Sequence, residues 1–86
     1  MSLNESYKKV NDEVLASIDK DVNKAVLSLQ ESATKIWQAV ENDQQDKINT
    51  RAANTLISVF HVMRDLGIDN PEECLTERLE EFKNEK

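Results

Sequence analysis

Leu66-Gly67-Ile68-Asp69-Asn70-Pro71-Glu72-Glu73 holds the one glycine and the one proline of an 86-residue chain. Gly67 lacks a Cβ and takes the positive φ that ends a helix, with Ile68 placed to fold back on the last turn. Asn70 then stands at the N-cap, Pro71 at the first helical position, and Glu73 where a capping-box acid belongs. The stretch is a helix stop followed at once by a helix start. No other residue in the chain interrupts a helix as glycine or proline would, so everything else is free to be helical.

Upstream of Gly67, Ile48, Ala52, Leu56, Val59, Phe60, Met63 and Leu66 recur at helical spacing, and Ile57 and Val62 widen the stripe. This is the expected central helix, starting near Asn42-Asp43-Gln44-Gln45-Asp46, where side-chain oxygens can satisfy free backbone donors. Further upstream, apolar residues at Leu3, Tyr7, Val10, Val14, Ile18, Val22, Ala25, Leu29, Ala33, Ile36 and Val40 are three or four apart. From Tyr7 to Val40 there are nine steps in 33 residues, nearer the period of a straight helix than that of a coiled coil. The place to break this stretch is Asp19 to Asn23, where Asp19 or Asp21 can cap a new start. After Pro71 a last helix turns Leu75, Leu79 and Phe82 inward. The expected fold is all-α, an antiparallel bundle of about four helices near residues 3–19, 22–41, 43–66 and 71–84, in a single domain spanning 1–86.

A chain of this length supports one hydrophobic core. With 11 basic and 17 acidic residues it carries a formal charge of −6, and seven acids against three bases lie between Asp69 and Lys86. Such a surface repels nucleic-acid phosphate. The longest apolar run, Leu56 to Met63, is interrupted by Ser58 and His61 and falls short of a membrane span, for which about 18 residues are needed. Cys74 has no partner for an internal disulfide, and the opening Met-Ser-Leu-Asn-Glu-Ser lacks the basic and apolar regions of a signal peptide. The expectation is a cytoplasmic protein without nucleic-acid or membrane partners.

The residues that carry chemistry are few. His61 lies in Val59-Phe60-His61-Val62-Met63, on a helix devoted to packing, and reads as a hydrogen-bonded structural histidine. Cys74 reads as a small half-buried thiol in a first helical turn. Trp37, beside Ile36, belongs to the core or to a subunit interface. The chain has no phosphate-cradling glycine loop and no cysteine or histidine pair at zinc spacing. Acids are scarce in the middle of the chain: Glu31 is the only one between Val22 and Val40, and none lies between Lys47 and Arg64. They gather instead at Glu72, Glu73, Glu77, Glu80, Glu81 and Glu85, a solvated face at the N-terminal end of a helix dipole.

The run Leu27-Ser28-Leu29-Gln30-Glu31-Ser32-Ala33-Thr34-Lys35-Ile36-Trp37-Gln38-Ala39-Val40, a polar connection, and Arg51-Ala52-Ala53-Asn54-Thr55-Leu56-Ile57 leading to Leu66-Gly67-Ile68-Asp69 resemble the MazG-like all-α nucleoside triphosphate pyrophosphohydrolases. The resemblance covers about residues 22 to 83. It implies a helical bundle that assembles into dimers or tetramers. It also implies Mg²⁺ held by an acid-acid-x-x-acid motif on one helix and an acid-x-x-acid motif on the next. The matching positions here are Gln30-Glu31-Ser32-Ala33-Thr34 and Arg51-Ala52-Ala53-Asn54, and only Glu31 keeps its charge. Fewer carboxylates remain to offset the dehydration of Mg²⁺, and Arg51 adds a repelling charge. Glu31 with Gln30, Thr34 and Asn54 is the set left to hold an ion.

The expected function is therefore a MazG-like homodimer or higher oligomer that has lost Mg²⁺-dependent catalysis and acts by binding a nucleotide or a protein. Two alternatives stand beside it. One is an active pyrophosphohydrolase with a rearranged site. The other is an unrelated acidic interaction module of immunity or inhibitor type, which would meet a basic partner through Glu72, Glu77, Glu80 and Glu81.

Overall fold

Gly67 sits at φ +77°, and two hydrogen bonds close the turn around it. Gly67 N–H donates to Arg64 O at 3.0 Å and Ile68 N–H to Met63 O at 2.9 Å, the bond pair of a Schellman stop. In the computed structural model, which describes residues 1–85, the chain forms α1 (Leu3–Glu13), α2 (Val22–Glu41), α3 (Gln45–Asp65) and α4 (Pro71–Asn84). Among the described residues there is no strand. The all-α, four-helix expectation holds, and the bounds of α2 and α4 match the sequence reading.

Each helix start is satisfied locally. Ser2 Oγ accepts from Glu5 N–H at 3.1 Å while Glu5 Oε1 accepts from Ser2 N–H at 3.4 Å, a capping box that opens α1. Asp21 accepts from Lys24 N–H at 3.2 Å, which makes it the cap of α2. Asn70 accepts from Glu73 N–H at 3.0 Å. Helices α1 and α4 also cap each other: Asn4 N–H donates to Glu72 Oε1 at 3.0 Å, and Glu72 N–H donates to Asn4 Oδ1 at 3.1 Å. Two positive helix ends thus meet around one carboxylate.

The end of α1 and both ends of α3 differ from the sequence reading, the end of α3 by one residue. Helix α1 stops at Glu13 instead of running to residue 19, because Leu15 drops into the core at 2% exposure and its carbonyl accepts from Arg64 Nη1 at 2.6 Å and from Ile18 N–H at 2.9 Å. A tertiary contact thereby takes the carbonyl that a longer helix would have used. At the other connection, Asn42 to Asp46 do not supply a side-chain cap for α3, whose N-cap position is Gln44. Asp43 instead adopts φ +54° and ends α2, with Asp43 N–H donating to Val40 O at 3.2 Å and Gln44 N–H to Ala39 O at 2.8 Å. Aspartate tolerates the left-handed region better than most residues, so the same stop is built without glycine.

Packing centres on the antiparallel α2–α3 hairpin. Buried and half-buried positions run through Ala25, Leu29, Ser32, Ile36 and Ala39 on α2 and Ile48, Arg51, Thr55, Ser58 and Val62 on α3. The steps alternate between four and three, a 3.5-residue seam, where apolar residues counted alone suggested a straighter period. Small residues let the two backbones approach, and Ser32 and Ser58 hydroxyls bond across the seam at 2.9 Å. Helix α1 docks against the end of α3. The Tyr7 ring meets Phe60 edge-on at 5.3 Å, and its hydroxyl donates to Ile68 O at 2.6 Å. Helix α4 packs on α1. Leu75, Leu79 and Phe82, expected to face inward, are all more than half exposed, because α4 is held at its first turn and does not run back along the hairpin.

Gly67→Ala tests the stop in isolation. No heavy atom lies within 4 Å of an added Cβ, so the cost is that of a left-handed alanine alone, about 1 kcal/mol. Urea unfolding should show a lower midpoint with an unchanged slope.

Candidate functional site

The hairpin has two unlike faces, and both follow from its seam. On α2, Val26, Gln30, Ala33, Trp37 and Val40 each lie one residue beyond a seam position, and on α3 so do Asn49, Ala52, Leu56, Val59 and Met63. One residue is about 100° of rotation, and in an antiparallel pair this step carries both stripes to the same side. That side is apolar and open: Trp37 is 62% exposed and Leu56 61%. Residues one position before the seam, among them Glu31, Lys35, Gln38, Lys47 and Asn54, fall on the opposite side, which is polar.

Of the residues matched to the metal motifs, Glu31 and Asn54 lie on this polar side and Gln30 one residue beyond Leu29, and the set does not share one opening. Gln30, Glu31, Thr34, Lys35 and Gln38 line a shallow groove along α2. Asn54 lines a second opening, between the helices, with Ser32, Lys35 and Arg51. Thr34 donates its hydroxyl to Gln30 O, one turn back on its own helix, at 3.0 Å. Among the described residues no three His, Cys, Asp or Glu side chains converge, and Glu31 is the only carboxylate lining either of these two openings.

The acids assigned to partner binding separate as well. Glu72 is half-buried in the mutual cap between α1 and α4. Glu81 pairs with Arg78 at 2.5 Å, and Arg78 in turn stacks over Phe82 at 4.1 Å from the ring centroid. Glu77 and Glu80 are exposed, and so is Cys74, which corrects the half-buried thiol of the sequence reading.

The most buried charge lies elsewhere, at the foot of the hairpin. Asp65 has a side chain with no exposed surface. Its Oδ2 accepts from Asp21 N–H at 3.0 Å and its Oδ1 from Arg64 Nε at 2.8 Å. His61 Nε2 lies 3.4 Å from Asp65 Oδ2 but makes no hydrogen bond of its own, so His61 is packed beside the carboxylate rather than hydrogen-bonded to it. Burial alone pushes the Asp65 carboxyl up. The hydrogen bonds from Asp21 and Arg64, with the charges of Arg64 and His61, outweigh it and hold the group below the usual carboxylate range. Tyr7 goes the other way: burial raises its hydroxyl above the ordinary tyrosine value. Nothing in the sequence reading marked Asp65, although an adjacent Arg-Asp pair at the end of an apolar helix is a signal it could have used.

Between α1 and the end of α3 lies a wider concavity of about 420 Å³, its wall including Lys8, Lys20 and Arg64 against Asp12 and Asp69. Lys8 and Asp12 are already paired with each other at 2.9 Å. Comparison with protein-family models, with curated proteins and with solved structures finds no match for this chain.

Asp65→Asn leaves the Arg64 guanidinium buried without a counter-charge and should cost about 3–5 kcal/mol at neutral pH. Because the folded-state carboxyl is held low, its stabilisation is complete above the unfolded value of about 3.9 and is lost as pH falls below it. Urea unfolding across this range should show the gap between wild type and variant closing as the solution is acidified. A gap that stays constant would contradict the assignment.

Proposed function

We propose that this chain is a helical binding protein with a MazG-like hairpin that has lost Mg²⁺-dependent pyrophosphohydrolysis and pairs with a second copy of itself through the apolar α2–α3 face. The observation that carries the pairing is surface area. The folded chain exposes 6436 Å², whereas a compact monomer of 9.9 kDa exposes about 5,200 Å². The radius of gyration is 14.6 Å, against about 12 Å for a compact domain of this length. The excess of roughly 1,200 Å² exceeds the ~800 Å² that each partner buries in a standard interface.

The composition of the open face agrees with that use. Trp37, Val40 and Leu56 are apolar, and α3 has no Asp, Glu or Lys between Lys47 and Arg64 and no arginine there other than Arg51, which lines the opening on the other side of the hairpin. Aromatic and aliphatic anchors without charge are what an interface centre requires. The loss of catalysis is supported by the isolation of Glu31 and by Arg51 and Asn54 where the resemblance calls for acids. With the apolar face closed, the polar face remains free for a ligand, and the acids of α4 remain free for a basic protein.

Sedimentation equilibrium should give the wild-type chain twice the mass of 9.9 kDa, and Trp37→Lys or Leu56→Lys a single chain mass with unchanged helical circular dichroism. A monomeric wild type at high micromolar concentration would overturn the pairing. The same wild-type preparation, given Mg²⁺ and nucleoside triphosphates, should release no pyrophosphate above the blank. Release that Glu31→Gln abolishes would overturn the loss of catalysis.

A further inference from the structure

The opening between α2 and α3 contains a charged group that the fold leaves unsatisfied. Arg51 Nε is buried and has no hydrogen-bond partner among the described residues. An unpaired buried donor costs on the order of 1–3 kcal/mol, and more when it is charged. Arg51 forms no ion pair with any described carboxylate, and neither does Lys35, which faces it across the seam. Ser32 and Asn54 complete the wall of an opening of about 60 Å³, the liquid volume of roughly two water molecules. One tetrahedral oxyanion is of a size to enter such a space.

The neighbourhood has the matching sign. In a chain of net charge −6, the segment from Lys47 to Arg64 carries three bases and no acid, and Glu31 is the only acid between Val22 and Val40. Glu31 lines the adjoining groove with Lys35 and is the one carboxylate that opposes an anion there. Arginine offers a planar fork of donors and lysine a point charge, a combination suited to a phosphate group.

We infer that Arg51 and Lys35 form an oxyanion site that takes a phosphate group directly, with Asn54 and Ser32 as neutral partners and with no metal ion between protein and ligand. The site specifies the ligand chemistry of the proposed binding function and rests on that reading. It stands apart from self-association, which uses the other face of the hairpin and is read by mass. The phosphate group can come from free phosphate or from a mononucleotide, and titration separates the two.

The test is a backbone-amide NMR titration of the full chain with inorganic phosphate, with sodium chloride at matched ionic strength as the blank, then with adenosine monophosphate and with adenosine. Saturable shifts confined to amides near Ser32, Lys35, Arg51 and Asn54 are expected with phosphate and not with chloride. Loss of one charge-assisted hydrogen bond should weaken the apparent Kd about tenfold or more in Arg51→Gln and in Lys35→Gln. Lys35 is exposed, so Lys35→Gln keeps the test open if Arg51→Gln fails to fold. Tighter binding of the mononucleotide, with adenosine silent, assigns the site to a nucleotide phosphate. Phosphate binding without mononucleotide binding assigns it to the free ion. Shifts that never saturate and are matched by chloride, or an unchanged Kd in the variants, would overturn the inference.

Discussion

The Asp65 carboxylate is the contact on which the arrangement of the helices depends. It is withdrawn from water at the end of α3 and takes a hydrogen bond from the backbone at the start of α2. Its neighbour Arg64, paired to it, reaches the Leu15 carbonyl just past the end of α1. One carboxylate and one guanidinium thus tie both ends of the α1–α2 connection to the end of α3, 44 and 49 residues away in sequence. Burying such a pair is not by itself stabilising, since desolvation offsets most of the attraction. Its contribution is positional: the Asp65 carboxylate oxygens and the Leu15 carbonyl find their donors in one arrangement of these segments. With residues 14–21 held down, Tyr7 can reach Phe60 and Ile68 on the far side of α3.

The hairpin secured in this way has a seam that mixes Ala25, Ser32, Ala39 and Ser58 with Leu29, Ile36, Ile48 and Val62, and it leaves Trp37, Val40 and Leu56 outside. Ala25 and Ala39 are fully buried while Trp37 and Leu56 face outward. That distribution is the reverse of what a self-sufficient monomer would adopt, because burying alanine yields little hydrophobic free energy and burying tryptophan or leucine much more. Among the described residues five hydrophobic residues make up the buried core, two of them alanines. The proposed second copy would resolve the mismatch and would give the two faces of the hairpin separate uses, one for assembly and one for a ligand.

The parts of the fold that were legible in the sequence are those set by local chemistry. Gly67, Asn70 and Pro71 act within a few residues of themselves, and their roles were read correctly, as was Asp21 as a possible cap. The misses have tertiary or statistical causes. The end of α1 depends on Arg64, 49 residues from Leu15, and no local pattern reports it. Asp43 takes a left-handed conformation that aspartate adopts only in a minority of cases, so its residue type gave no signal. Ser32 belongs to the seam but drops out of a count of apolar residues from Tyr7 to Val40, which shifted the apparent period, and Thr55 and Ser58 are missed on α3 in the same way. For α4 the amphipathic pattern was real, but a pattern does not specify what covers it. At the candidate site, Arg51 was visible only as a charge opposing Mg²⁺. Its unpartnered Nε, and its convergence with Lys35 from the facing helix, required three dimensions.

Trp37 is the one tryptophan in the chain, which makes the face proposed for pairing directly observable without a label. The decisive measurement is its fluorescence emission as the wild-type chain is diluted from high micromolar to nanomolar concentration. Burial against a second copy requires a blue-shifted maximum at high concentration that moves to the red along a single dimer-dissociation curve, with helical circular dichroism retained. A maximum typical of solvent-exposed tryptophan at every concentration would contradict a face closed by self-association.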